Sequence, residues 1–113
     1  MNTLYEKYGS DLIHKAVRAF YDNLEKSSTL NPYFKGIDKE KLIEFQIVYF
    51  IKLFGGPVAD LSKYENYPHR LPIPDELFMD VAEILENTLI AAKLDNEDIE
   101  TILALIAQSR VNQ

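Results

Sequence analysis

Histidine is the main residue type in this sequence that could bind a transition metal, because the chain has two histidines and no cysteine. The absence of cysteine excludes disulfides, zinc–thiolate sites, iron–sulfur clusters and thiol catalysis. His14 falls on the polar face of a helical pattern, so we expect it to be exposed to solvent. His69 lies between Pro68 and Pro72, which stiffen its backbone and keep any helical turn short.

His69 alone cannot form a mononuclear metal site from protein ligands. It can act as the axial ligand of a haem, because the porphyrin supplies the other nitrogens. A lone histidine is more often a structural residue than a ligand, so its residue type leaves both interpretations open. The choice depends on whether other residues build a pocket.

Two polar residues interrupt helix faces that are otherwise apolar. Tyr21 follows Phe20 on the apolar face of one helical pattern, and Gln46 lies between Leu42 and Phe50 on the next. A buried amide without a partner costs about 1–3 kcal/mol, and a buried tyrosyl hydroxyl also needs a partner. A backbone group or a buried water could satisfy either residue alone. Together they present two hydrogen-bond donors to one apolar interior, which is typical of a ligand pocket.

Helical periodicity runs through most of the chain, and no strand pattern occurs. We predict helices over residues 2–8, 10–26, 38–54 and 75–93 and a last helix that Asp95 caps, with Asp98 as the further residue of a capping box. Residues 57–74 contain four prolines and are predicted to form one long loop held by apolar anchors at Leu61, Tyr64, Tyr67, Leu71 and Ile73. The sequence therefore predicts a single all-α domain over residues 1–113.

The overall charge and hydropathy exclude several classes of partner. The formal net charge of −6 argues against nucleic acid or an anionic membrane, since both require a basic surface. No apolar run approaches the roughly 18 residues of a membrane span, and the first residues do not read as a signal peptide. We therefore expect a cytoplasmic protein with no membrane or nucleic-acid partner.

Several short motifs, in order and at near-constant spacing, resemble those of truncated haemoglobins, the shortened two-over-two globins. They are Leu4-Tyr5-Glu6-Lys7-Tyr8-Gly9, Phe20-Tyr21, Pro32-Tyr33-Phe34 with Lys35-Gly36-Ile37-Asp38, the Leu42–Gln46–Phe50 spacing, Leu53-Phe54-Gly55-Gly56-Pro57, His69 twelve residues after Pro57, and Asp75-Glu76-Leu77-Phe78. The resemblance is greatest to group I, since Val81 stands where groups II and III carry a tryptophan. Phe45 stands where one branch of the family has a second axial histidine, so no second histidine ligand is expected.

This resemblance implies a two-over-two helical sandwich around non-covalent haem b. It implies that His69 ligates the iron, that the Tyr21 hydroxyl is the main donor to a bound gas molecule, and that Gln46 supports it. Lys41 and Arg70 are candidates to contact the haem propionates. The expected walls of the pocket are Phe34, Leu42, Phe45, Val48, Tyr49, Phe50, Leu71, Phe78, Val81 and Leu85.

Three functions remain open on these residues. The first is reversible binding of oxygen, with nitric oxide and carbon monoxide as further ligands, by a monomer. The second is a nitric oxide dioxygenase or related haem redox enzyme, which would need a separate reductase. The third is a haem-free helical module for protein contacts. The sequence does not separate the first two, because the same Tyr21–Gln46 pocket serves both.

Overall fold

Four helices form the protein in the computed structural model, which describes residues 3–57 and 73–111. They are α1 (Leu4–Lys26), α2 (Lys39–Leu53), α3 (Phe78–Ala91) and α4 (Asn96–Val111), with short 3-10 turns at Asn31–Phe34 and Asp75–Leu77. Helix α1 packs against both α2 and α3, and α3 packs against α4. Neither described range contains a strand, and the predicted all-α fold is confirmed. No helix within these ranges is long and apolar enough to cross a membrane.

A kink at Gly9 divides α1. Gly9 has φ 83° and ψ 162°, a backbone conformation that a residue with a Cβ adopts only under strain. The kink separates an N-terminal arm, residues 3–8, from the long part of the helix. At the start of this arm the Thr3 hydroxyl accepts a hydrogen bond from the Glu6 backbone N–H at 3.0 Å. The predicted break at Gly9 is therefore confirmed.

Helix α2 begins and ends as the sequence predicts, but its buried surface is wider. The Asp38 carboxylate caps it by accepting from the Lys41 backbone N–H at 3.3 Å, and Gly55 has φ 84° just after its end. The face predicted from Leu42, Gln46 and Phe50 is buried, but Ile43 and Ile47 are buried as well, so the buried surface extends beyond that face. Only charged residues of α2 are exposed, since the helix is enclosed over most of its circumference.

Polar contacts hold the corner between α1 and α2. The Lys39 ammonium group donates to the Glu25 carboxylate at 3.0 Å, and the Asn31 side-chain amide donates to the Glu25 carbonyl oxygen at 2.8 Å. Both contacts tie the start of α2 and the 3-10 turn to the last part of α1. The corner therefore carries Phe34 at a fixed distance from α1.

The apolar core lies where α1, α2 and α3 meet. A small apolar cavity at this junction is lined by Ile13, Ala16, Val17, Phe20, Phe50, Phe54, Leu85 and Leu89. Ile73 is buried just before the 3-10 turn that leads into α3, which confirms it as an apolar anchor. The other predicted anchors, Leu61, Tyr64, Tyr67 and Leu71, lie outside the described residues.

The N-terminal arm is bound to the start of α4. The Lys7 ammonium group donates to the carboxylates of Asp95 at 2.8 Å and Asp98 at 2.7 Å. The Tyr8 hydroxyl donates to Asp98 and accepts from the Asp95 backbone N–H at 3.1 Å. The last helix does begin after Asp95, as predicted, but the Asp98 carboxylate contacts the arm across the fold, a contact that the predicted capping box did not include.

The Asp98 carboxylate should stabilise the fold at neutral pH and lose this effect in acid. Hydrogen bonds from Lys7 and Tyr8 lower the pKa of Asp98. A carboxyl whose pKa is lower in the folded state stabilises the fold above its unfolded pKa, and this contribution is lost as the pH falls through its folded pKa. We expect Asp98→Asn to lower the free energy of unfolding at pH 7 by about 1 kcal/mol and to weaken its dependence on pH below about pH 4. Urea unfolding measured over a pH series tests both effects.

Asp95→Asn is the matched control. Asp95 binds the same lysine, but its side chain is 68% exposed, compared with 18% for Asp98, and its carboxylate has no contact with the Tyr8 hydroxyl. Its replacement should change the free energy of unfolding by about 0.5 kcal/mol or less. Equal effects of the two substitutions would contradict the special role of Asp98.

Candidate functional site

Tyr21 lies in the most enclosed part of α1, with only 1% of its surface exposed. Its ring packs edge-on against Phe20 on the same helix, at a centroid distance of 6.4 Å. It also packs edge-on against Phe34 of the corner, at 5.5 Å and an interplanar angle of 70°. These contacts fix the ring between α1 and the corner that leads into α2, so the buried position predicted for Tyr21 is confirmed.

The Tyr21 hydroxyl is buried, and no described residue provides a hydrogen-bond partner for it. Burial, with a smaller contribution from the charge of Glu25, raises the pKa of Tyr21, so the hydroxyl keeps its proton across the physiological range. An unpaired hydroxyl in the interior costs about 1–3 kcal/mol, and native structures contain few of them. A polar ligand in this pocket would remove that cost.

The Asn23–Thr88 pair shows that this fold can satisfy a polar group in its interior. Thr88, only 4% exposed, accepts from the Asn23 amide at 3.0 Å and donates to the Ile84 carbonyl oxygen at 2.8 Å. The sequence patterns did not reveal this pair, because its two residues lie on different helices and are 65 positions apart in the sequence. The contrast shows that the unpaired hydroxyl is a local property of the surroundings of Tyr21.

Gln46 is the second polar residue predicted at the site. It is 5% exposed on α2, which packs against α1, the helix that carries Tyr21. The predicted burial of this amide is confirmed. Two contacting helices therefore each place one buried polar side chain among apolar residues, which is the composition of a pocket that orients a small ligand.

The residues expected to line the pocket differ in how deeply they are buried. Leu42, Phe45, Phe50, Val81 and Leu85 are buried, whereas Phe34, Val48, Tyr49 and Phe78 are half-buried. Phe50 and Leu85 both line the small cavity at the junction of α1, α2 and α3. Lys41 is exposed at the start of α2, as a residue that meets a charged ligand edge should be. Arg70 and Leu71 lie outside the described residues.

One of the two histidines lies within the described residues. His14 is exposed, and its Nδ1 atom lies 2.8 Å from the carbonyl oxygen of Ser10 one helical turn earlier, which confirms its predicted surface position. His69 lies outside the described residues, so its assignment as the iron ligand stays a prediction. Within residues 3–57 and 73–108, no three histidine, aspartate or glutamate side chains come together as a metal-ion site.

The unpaired hydroxyl predicts a gain in stability when it is removed. We expect Tyr21→Phe to raise the free energy of unfolding of the cofactor-free protein by about 1 kcal/mol, because the ring contacts remain and the desolvated hydroxyl is lost. Urea unfolding followed by circular dichroism measures the change.

Tyr33→Phe provides the control for this substitution. The Tyr33 side chain is 38% exposed, so water can hydrate its hydroxyl, and the stability should change by about 0.5 kcal/mol or less. A loss of stability in Tyr21→Phe would show that its hydroxyl has a partner in the cofactor-free protein.

Comparison with known proteins identifies the family to which this architecture belongs. A family model described as bacterial-like globin matches residues 3–112. The solved structure of THB1 from Chlamydomonas reinhardtii superimposes with a TM-score of 0.71 at 26% sequence identity, over 96% of this chain and 93% of that one. A comparison with curated proteins finds no match. Because the family model spans nearly the whole sequence and the four-helix fold agrees with it, the chain belongs to the bacterial-like globin family, and its resemblance to truncated haemoglobins is confirmed.

Proposed function

We propose that this globin holds haem b non-covalently and binds oxygen reversibly, with His69 as the axial ligand and Tyr21 and Gln46 as donors to the gas. Membership of the family implies a haem globin that binds diatomic gases. The observation that carries the finer proposal is the Tyr21 hydroxyl, which is buried and has no hydrogen-bond partner among the described residues. The motifs quoted above favour group I, and the proposal includes a cytoplasmic monomer whose net charge of −6 disfavours nucleic acid and anionic membranes as partners.

The residues present fit a haem. The chain has no cysteine, so a covalent thioether link is excluded and the cofactor must be held by ligation and packing. Phe34 is half-buried beside Tyr21 and would pack against the porphyrin face. Lys41 and Arg70 would meet the propionates. A haem bound here would supply the iron to which a diatomic gas binds.

His69 would bind the iron through a neutral imidazole nitrogen. Its second ring nitrogen would donate to a nearby backbone carbonyl, which fixes the orientation of the ring. The prolines at 68 and 72 support this role, because they restrict the backbone on both sides of the ligand.

Tyr21 and Gln46 would control how long the gas stays bound. The raised pKa of Tyr21 keeps a proton on its hydroxyl, and a donor in a dry pocket interacts strongly with a partner that gains negative charge. If each hydrogen bond contributes about 1–1.5 kcal/mol, the pair slows oxygen release roughly a hundredfold. Such a protein is a poor carrier and a good scavenger.

The same buried donor pair favours a second candidate, the oxidation of nitric oxide to nitrate by bound oxygen. A pocket that retains oxygen gives nitric oxide time to reach it. Conversion of nitric oxide and oxygen to nitrate takes up one electron, which a bound haem would supply once, so repeated turnover would require a separate reductase. Stopped-flow mixing of the oxygenated protein with nitric oxide, with nitrate measured as product, distinguishes this candidate from simple binding.

The distal assignment predicts a kinetic effect of Tyr21→Phe. We expect the rate of oxygen dissociation to rise about tenfold or more, because the main donor is lost while the ring stays in place. Stopped-flow displacement of oxygen by carbon monoxide measures this rate. Tyr33→Phe should leave it unchanged, and an unchanged rate in Tyr21→Phe would remove Tyr21 from this role.

The axial assignment predicts different outcomes for the two histidines. His69→Ala should lose haem during purification or lack the five-coordinate ferrous spectrum, because no other residue is expected to ligate the iron. His14→Ala should keep the parent spectrum, since His14 is on the surface. Absorption spectra of both variants, with and without dithionite and carbon monoxide, test this. A normal spectrum for His69→Ala would exclude His69 as the iron ligand. A colourless parent protein that does not take up added hemin would favour the haem-free module.

A further inference from the structure

The N-terminal arm reaches across the fold to the end of α2. The Tyr5 backbone N–H donates to the Phe54 carbonyl oxygen at 2.8 Å, which satisfies one of the last acceptors of that helix. The Thr3 side chain lies over Gly55, where an added Cβ would come within 3.1 Å of it. The arm therefore packs directly on the residues that end α2.

The closest approach is between the Tyr5 ring and Gly56. A Cβ added to Gly56 would lie 2.4 Å from Cδ1 and 2.6 Å from Cγ of Tyr5, and 2.9 Å from Cγ2 of Ile51. Real Cβ atoms essentially never come within 3.0 Å of such neighbours. The ring is therefore packed on the bare backbone of Gly56, and any side chain at this position would displace it.

The far end of the arm is fixed as well. Lys7 and Tyr8 are bound to Asp95 and Asp98 at the start of α4, as described above. The arm thus joins the end of α2 to the start of α4, and contacts at both ends hold the backbone that carries the Tyr5 ring.

We propose that Tyr5 is a positioning residue for the haem, because its ring on Gly56 sets the direction in which the chain leaves α2. This proposal rests on the proposed function, since the proposed ligand His69 follows Gly56 by thirteen residues in the sequence. If the ring did not fix the chain at Gly56, His69 would be in position to bind haem for a smaller fraction of the time. The apparent affinity for haem would fall in proportion to that fraction.

The first test compares two substitutions of Tyr5. Tyr5→Ala removes the ring and should speed haem transfer to an excess of a haem-scavenging apoprotein about fivefold or more. Tyr5→Phe keeps the ring and should stay within about twofold of the parent protein. The Soret absorbance of the ferric protein measures the transfer rate. Equal rates in the parent and Tyr5→Ala would overturn the proposal.

The second test is a double-mutant cycle with Gly56. Gly56→Ala forces the ring away and should speed haem loss about tenfold or more. Tyr5→Ala/Gly56→Ala should lose haem more slowly than Gly56→Ala alone, because removing the ring relieves two of the three short contacts. Recovery should be partial, since the contact with Ile51 remains. Strictly additive effects would show that the two residues act separately.

Thr88→Val separates positioning from a general loss of stability. Its hydrogen-bond partners, Asn23 and Ile84, belong to neither the arm nor α2. At a comparable loss of unfolding free energy in urea, Thr88→Val should keep its haem-loss rate within about twofold of the parent. A haem-loss rate that follows global stability equally in Thr88→Val and Tyr5→Ala would overturn the positioning role.

A parent protein that takes up no haem would overturn the proposed function and this inference with it, whereas a haem-binding parent that is insensitive to Tyr5→Ala would overturn only the inference.

Discussion

The packing of α1 against two helices at once is the constraint on which the rest of the structure depends. α1 contacts α2 and α3, and its buried residues Ile13, Val17, Phe20, Tyr21 and Leu24 occur at helical spacing. The buried apolar side chains at this junction fill the space between the three helices. A polar group without a partner there is costly, so the buried Tyr21 hydroxyl requires an explanation beyond packing.

The pocket described here is built by elements that also hold the fold together. Phe34 contacts the Tyr21 ring, and it is carried by a corner that Glu25, Asn31 and Lys39 join to both helices. The position of the tyrosine is therefore set by contacts that would exist without any ligand. In the proposed function, such a donor would already be in place when the gas binds and would not need to reorganise, which is how a neutral hydroxyl would become an effective electrostatic partner.

Much of the fold could be read from local sequence signals. Gly9 ends the first helical turn, Asp38 caps α2, and the Gly55-Gly56-Pro57 run stops it, because each of these effects depends on the residue itself and its immediate neighbours. The burial of Tyr21 and Gln46 followed from periodicity alone. The full width of the buried surface of α2 did not, since a single stripe cannot show that a helix is enclosed on several sides.

Contacts between distant parts of the chain could not be predicted from such signals. The Tyr5 ring on Gly56 and the Asn23–Thr88 hydrogen bond both join residues whose separation has no periodic signature. The pairing of Lys7 and Tyr8 with Asp98 is of the same kind. Tyr21 and Gln46 could be singled out because polar residues on apolar stripes are local anomalies, whereas the contacts that position their neighbours are properties of the assembled fold.

The attachment of the N-terminal arm to α4 has a consequence for the order of folding. The arm's ion pairs and hydrogen bonds with the start of α4 close loops of 87 to 91 residues, whereas the Lys39–Glu25 contact at the corner between α1 and α2 closes one of only 14. Long loops are closed at a greater entropic cost and more slowly than short ones. The arm should therefore dock after the helix pairs have formed, although it precedes all of them in the sequence.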